Sequence, residues 1–381
     1  METDQLALRC LTVPIQAGQL KITIRREGLP LADCLDFATR QNPRRLFLFV
    51  SKVLGKHWAV KPRTMQKIHS LLAARIADLP GPVLVVGMAE TATALGRGVA
   101  EEVALQSRRN DILYLQTTRY HLSRPLALGF DESHSHAPDH RVYLPELALQ
   151  PLFYSARTLV LVDDEISTGR TLAELAQGYF QVNSQVEQLV FASITNWLPA
   201  SRQQELAELL VCPLQFPALI EGEFTFEADP LFPLPSLPVV VADRARNHDA
   251  VVTDPARIGV IAGQWQLPAL PPVPDDQSLT IIGTGEYAYT PFRVALALEE
   301  QGRDVRFQST TRSPILIGDA ITDRHEFLDN YGDGIPNYLY NLDPERLPVV
   351  IYEHADMLDT HLLPNLIKGL AFAVEESCHV S

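Results

Sequence analysis

The stretch Leu159-Val160-Leu161-Val162-Asp163-Asp164-Glu165-Ile166-Ser167-Thr168-Gly169-Arg170-Thr171 constrains this chain more than any other. Four consecutive apolar residues predict a strand buried on both faces, the habit of parallel sheets. Two carboxylates, Asp163 and Asp164, stand at its carboxyl end, the edge at which open α/β sheets bind ligands. The run from Ser167 then predicts a tight loop into a helix opening near Thr171. A helix start leaves N–H groups unpaired and carries positive dipole character, so it suits a phosphate dianion. Ser167, Thr168 and Thr171 add hydroxyls, and Gly169 lets backbone approach closely. Adjacent acids beside a phosphate cradle describe a phosphorylated sugar diol, with the acids on the hydroxyls and the loop on the phosphate.

The surroundings suit such a strand. PVLVVG, the helical MAETATALGRGVAEEVA and DILYLQTTR precede it, and QLVFASIT follows. Strands alternating with helices predict a mostly parallel α/β sheet. Nearer the start, Leu20–Ile24 predicts a strand, Leu31–Arg40 a helix, Phe47–Val50 an apolar run, and residues 64–79 a helix by apolar spacing. The proline tracts DPLFPLPSLPVV and LPALPPVPDDQ predict an extended connection, because proline removes a ladder donor and fixes φ. With 381 residues too many for one comfortable core, the expected domains are 1–220 and 279–381, joined by a proline-rich connection over 221–278.

The second domain reads as a copy of the first. Gly87, Glu90 and Ala92 align with Gly283, Glu286 and Ala288, each 196 residues on, and Thr117-Thr118-Arg119 aligns with Thr310-Thr311-Arg312, 193 residues on. Thr158–Val162 matches Pro348–Tyr352, which sets Glu353 opposite Asp163 and His354 opposite Asp164. The alternative is that two α/β halves share a strand–Gly–helix grammar by coincidence. In the copy, Met357, Leu358 and Asp359 replace Ser167, Thr168 and Gly169 and cannot form the phosphate cradle.

A formal net charge of −14 argues against non-specific nucleic-acid binding, but not against a small anion held by backbone N–H groups. Cys10, Cys34, Cys212 and Cys378 are scattered without metal-type spacing, as expected of buried thiols in a reducing compartment. METDQLALRC lacks the pattern of a signal peptide, and no apolar run approaches the ~20 residues of a membrane helix. The expected location is cytoplasmic, with no membrane partner.

The Leu159–Thr171 run resembles the phosphoribosyl-pyrophosphate (PRPP) motif of type I phosphoribosyltransferases: four apolar residues, Asp-Asp, two variable residues, then Ser/Thr-Thr-Gly. The resemblance implies that fold, with a second, degenerate phosphoribosyltransferase-like α/β domain behind it. It implies that Asp163 and Asp164 hold the ribose hydroxyls, directly or through Mg²⁺, and that Ser167, Thr168, Gly169, Arg170 and Thr171 bind the 5-phosphate. Val86–Thr91 falls where the family has its pyrophosphate loop, making Ala89, Glu90 and Thr91 candidates, and Arg119 falls where a basic residue meets the pyrophosphate. Ser123–Arg141 takes the place of the mobile catalytic loop, with Arg124, His134, His136 and His140 as candidates; the lysines common in orotate enzymes are absent. Two other readings of that loop stand open: a metal site of His134, His136 and His140, or a solvated loop. Lys52, Lys56 and His57 lie in the segment of the family's acceptor-base hood, as acceptor contacts or as a basic surface turn.

FVSKVLGKH, GMAETATALG, TTR, the His-Ser-His loop and Thr311-Arg312-Ser313-Pro314 together are similar to the phosphoribosyltransferases of bacterial tellurium-resistance and stress gene clusters, which carry a C-terminal Thr-Arg-Ser-Pro (TRSP) domain. That resemblance implies transfer of ribose 5-phosphate from PRPP to a nitrogenous base, with Mg²⁺ as cofactor, in the making of a nucleoside-like stress metabolite. A non-catalytic PRPP or nucleotide sensor, and a structural member of a stress complex, are the other readings. Type I enzymes commonly pair as dimers, so the chain is expected to be its own pseudo-dimer or a homodimer. Glu286, Arg312 and Ser313 are then the second-domain candidates for capping the first site or holding a second ligand.

Overall fold

The computed structural model describes residues 8–76, 78–130, 140–236 and 246–374. Its centre is a mostly parallel sheet in which Val83–Gly87 lies between Ile112–Gln116 and Thr158–Ile166, and Thr158–Ile166 pairs onward with Gln188–Asn196. These strands are apolar without alternation because helices cover both faces. Antiparallel pieces finish the edges: the hairpin Arg9–Ile15/Gly18–Glu27 with Ala218–Ala228 on one side, and Val260–Ile261 on the other. Helix Arg170–Val182 packs by its stripe of Leu172, Ala173, Leu175, Ala176 and Tyr179. Among the described residues no helix is long and apolar enough to cross a membrane.

The second sheet, Val305–Ser309, Leu279–Gly283, Leu347–Tyr352 and Leu370–Ala373, is wholly parallel. Its strand order repeats that of Ile112–Gln116, Val83–Gly87, Thr158–Ile166 and Gln188–Asn196. The likeness reaches single bonds. Thr117 N–H donates to the Gly87 carbonyl at 3.0 Å, and Thr310 N–H to the Gly283 carbonyl at 3.0 Å. Ala89 N–H donates to Thr117 Oγ1 at 2.8 Å, and Gly285 N–H to Thr310 Oγ1 at 2.9 Å. Each half carries a hairpin next, Leu126–Phe130/His140–Tyr143 and Arg324–Leu328/Pro336–Tyr340, bridged to its own threonine at Thr118↔Arg141 and Thr311↔Tyr338.

The halves pack through a shared apolar cluster. Val60, Met65 and Ala94 of the first contact the group that includes Tyr289, Phe292 and Phe307 of the second. Helix Thr93–Ser107 is therefore buried on nearly every side over its first two turns.

Several expectations change. In place of a helix over 31–40 there is one turn, Leu31–Cys34, and then the strand Leu35–Thr39, paired antiparallel with Phe47–Ser51. The cross-strand Phe37–Phe49 ring pair, 5.6 Å between centroids, supplies what local helix spacing could not. The expected helix over 64–79 runs Pro62–Ala73, short of the Pro-Gly-Pro run that follows. Ala218–Ala228 belongs to the first sheet rather than to a connection. The proline tracts are irregular as expected, but between them His248, Asp254 and Arg257 are buried against both halves. Cys34 is buried, whereas Cys10 is exposed and Cys212 half-buried, so burial holds for only part of the cysteine set; Cys378 lies outside the described residues.

Candidate active site

At the carboxyl edge of the first sheet, Asp163 and Asp164 are half-buried at the end of their strand. Asp163 Oδ1 accepts the Asp164 N–H at 2.9 Å, and Asp164 Oδ1 accepts the Thr91 hydroxyl at 2.8 Å. That second bond joins the acid pair to the loop after Gly87, whose Ala89–Glu90 peptide is cis. Gly169 adopts a left-handed φ of +67° and starts helix Arg170–Val182 without a side-chain cap of its own, and the Thr168 hydroxyl takes the Arg170 N–H only at 3.4 Å. The first N–H groups of this helix, with Ser167 and Thr171 half-buried and Thr168 exposed beside them, form a surface matched to phosphate. Arg170 turns its guanidinium back on Glu174 at 2.8 Å, so the loop's contribution is backbone and hydroxyl rather than this charge. Arg202 Nε donates to the Thr168 carbonyl at 3.2 Å and steadies the loop.

Glu165, the third acid in the row, pairs with Arg45 at 2.6 Å. Burial raises its carboxyl pKa, and the Arg45 charge opposes that rise. Neither residue stood out in sequence, because the hood hairpin that delivers Arg45 is 120 residues away.

Glu90 is buried, and its surroundings are ionic. Lys56 Nζ lies 3.4 Å away, and the Arg312 N–H donates to Glu90 Oε1 at 3.2 Å. Burial works to raise its carboxyl pKa, but Lys56, Arg312 and Arg119, with a hydrogen bond from Thr311, hold it below the usual carboxylate range. Lys56 also donates to the Gly285 carbonyl at 2.8 Å. The reading of Lys56 and His57 as a basic surface turn is thereby corrected: both are buried, and Lys56 faces the interdomain contact. Lys52 Nζ is bound to the Ala32 carbonyl at 2.8 Å instead.

Arg119, half-buried, donates its backbone N–H to Glu286 at 2.8 Å. Arg124 is half-exposed in an ion pair with Glu146 at 2.7 Å. His140 is buried, with Nδ1 3.0 Å from Thr117 Oγ1. His134 and His136, and with them the metal reading of the loop, lie outside the described residues. In the second half, Arg312 spreads over the Tyr120 ring at 5.2 Å, and the Ser313 carbonyl accepts from the Tyr340 hydroxyl at 2.8 Å.

At the matching strand end of the second sheet, the chain's own side chains fill the edge. Glu353, the counterpart of Asp163, is fully buried and accepts from Arg257 Nη1 at 2.9 Å, Thr253 N–H at 2.8 Å and the Tyr331 hydroxyl at 2.5 Å. Nothing in sequence signalled Arg257; a lone arginine in a proline-rich stretch finds its partners only across the fold. The short helix Met357–Thr360 replaces the phosphate loop.

The carboxyl edge of the first sheet thus brings a twin-acid strand end and a glycine-led helix start together. Residues 34–223 match the family described as phosphoribosyl transferase, and residues 265–370 match the TRSP domain that lies C-terminal to it. The chain carries a phosphoribosyltransferase domain followed by a TRSP domain, and the protein is a phosphoribosyltransferase. A search of curated proteins finds no match. Similar solved structures include adenine phosphoribosyltransferase from Trypanosoma brucei, at 12% identity over 55% of this chain and 86% of that one, TM-score 0.36. Another is the adenine enzyme from Leishmania donovani, at 12% identity over 49% and 77%, TM-score 0.34. The orotate enzyme from Francisella tularensis is similar at 11% identity over 46% and 74%, TM-score 0.28.

Proposed function

We propose that the first domain transfers the ribose 5-phosphate group of PRPP to a nitrogenous base, or a related nucleophile, and releases pyrophosphate. The observation that carries this reading is the Asp163–Asp164 pair joined through Thr91 to the loop after Gly87 and followed at once by the glycine-led helix start at Arg170. One end of that arrangement suits a sugar 5-phosphate, the middle a ribose diol, and the loop a pyrophosphate. In the reaction the bond from ribose C1 to pyrophosphate oxygen breaks, its electron pair leaves with pyrophosphate, and a bond from C1 to the acceptor nitrogen forms as that nitrogen's proton passes to solvent. Charge develops on the ring and on the leaving group, so catalysis is mainly positioning and charge stabilisation. Asp163 and Asp164 orient the diol, the 167–171 loop fixes the phosphate, and Arg119 faces the leaving group.

Among the described residues no group of three or more His, Cys, Asp or Glu side chains could hold a metal ion. Two carboxylates beside an anionic ligand fit Mg²⁺ arriving on PRPP, whose charge it would partly neutralise. The product is proposed to be a nucleoside-like metabolite of stress physiology, on the resemblance of the Thr311-Arg312-Ser313-Pro314 motif and its companions. The two halves are proposed to stand for the two subunits of a type I dimer, supported by their matching strand order and reciprocal contacts.

Calorimetry of PRPP with Mg²⁺ tests the reading. The wild type is expected to bind, and Asp163→Asn/Asp164→Asn to lose binding by about two orders of magnitude, since diol orientation is removed. A panel of bases is then screened for pyrophosphate release. Binding that survives the double substitution would overturn the assignment of the acids, and binding without release across the panel would favour a sensor.

A further inference from the structure

We propose that Glu286 of the TRSP domain is a positioning residue for the pyrophosphate half of the first domain's site, acting across the domain contact through Thr118 and Arg119. The proposal rests on the phosphoribosyltransferase reading above and assigns the second domain its part in that site.

Glu286 is buried, and both of its oxygens are engaged from the other half. Oε2 accepts the Thr118 hydroxyl at 2.6 Å and Oε1 the Arg119 N–H at 2.8 Å, while Arg257 Nε lies 3.2 Å from Oε2. Two successive residues of one strand end, each held by a different oxygen of one carboxylate, cannot rotate independently. The restraint continues inward. Thr117 Oγ1 accepts the Ala89 N–H at 2.8 Å, so the strand end and the loop after Gly87 are one hydrogen-bonded unit.

The contact has a mirror. Glu90, the counterpart of Glu286, accepts from Arg312 N–H and from Thr311, the counterparts of Arg119 and Thr118. Residue i of one half meets residue j of the other and the reverse also holds, which is the signature of an isologous two-fold interface. Each carboxylate also has a cation, Lys56 for Glu90 and Arg257 for Glu286. Ionised groups buried this deeply are tolerated only when partners hold them in fixed geometry. Thr93 Oγ1 donates to the Glu286 carbonyl at 2.9 Å, and Lys56 to that of Gly285, so the two loops are locked face to face.

Among the described residues the anchors of the 5-phosphate loop come from the first domain itself. Arg202 holds Thr168, and Leu206 backs Gly169, both from the first domain. Losing Glu286 should therefore disturb one half of the site and spare the other.

The test measures binding of pyrophosphate with Mg²⁺, and separately of ribose 5-phosphate, to the full chain carrying Glu286→Ala. Pyrophosphate affinity is expected to fall at least about tenfold, as misplacement of a strand end by a fraction of an ångström requires, with ribose 5-phosphate affinity within about twofold of wild type. Glu286→Gln, which keeps one acceptor oxygen for the Arg119 N–H and turns the other position into a donor facing the Thr118 hydroxyl, should recover part of the loss. Should Glu286→Ala not fold, Thr118→Val carries the test, since it deletes one hydroxyl at nearly constant shape and should show the same split in smaller measure. Unchanged pyrophosphate binding, or equal loss of both ligands in a folded variant, would overturn the proposal. A wild type that binds neither ligand would instead sink the phosphoribosyltransferase reading, and this role with it.

Discussion

Gly169 shows how much of the site rests on one residue. At φ +67° an L side chain costs about 1–2 kcal/mol, and an added Cβ would stand 2.7 Å from Leu206 Cδ1. Gly169→Ala is expected to lower stability by about that amount and to weaken ribose 5-phosphate binding, because the helix start must shift. Urea unfolding with calorimetry of ribose 5-phosphate checks both; unchanged ribose 5-phosphate affinity would detach the loop from phosphate binding. The acids beside it differ in kind. Asp164 is tied to Thr91, whereas Glu165 is tied to Arg45, so three adjacent carboxyls face three different surroundings.

At the scale of elements, helix Thr93–Ser107 is the member on which site and interface both depend. It packs so close to the strand Val83–Gly87 that a Cβ on Gly96 would lie 2.7 Å from Gly87 Cα, backbone against backbone. Alanine is the better helix former by about 1 kcal/mol, but overpacking costs about 1–3 kcal/mol, and here the obstructing atom cannot rotate away. Gly96→Ala should therefore destabilise the protein and reduce PRPP affinity by moving the loop after Gly87. A raised melting temperature with unchanged affinity would show that helix and strand separate freely. The helix could be read from the sequence by its position between two strands. Its double burial could not, since the second covering layer comes from Tyr289 and Phe292.

Among the described residues, His57, His69 and His361 are buried imidazoles that their surroundings hold neutral. Burial pushes His57 and His69 down to about 3, with Lys56 and Arg293 adding to the effect, and burial pushes His361 down to about 4. In the unfolded chain each titrates near 6.5, so below that pH the unfolded state binds more protons and gains stability. Folding stability should hold above pH 6.5 and fall below it, by about 1.4 kcal/mol per pH unit for each histidine, or about 4 kcal/mol for the three. Urea midpoints at pH 7.5 and 5.5 measure this. His69→Phe, in a site already faced by the Phe292 ring at 5.1 Å, should lose about a third less than wild type between the two. A difference as large as the wild type's would remove His69 from the account.

What the sequence determined by itself was local and periodic. Four apolar residues before Asp163-Asp164, a glycine at the helix start and the 196-residue echo of Gly87, Glu90 and Ala92 suffice to place the motif at a sheet edge and to suggest a copy, because strand, turn and helix start are specified by neighbours in the chain. What only the tertiary structure decided was pairing over distance. The hood strand Leu35–Thr39 exists because of Phe47–Ser51, Lys56 is buried because Glu90 and Gly285 meet it, and Arg257 closes the copied site because Glu353 and Glu286 converge on it. A charge in a sequence carries no record of its partner. Burial and ion pairing depend on which surfaces the folded chain brings together.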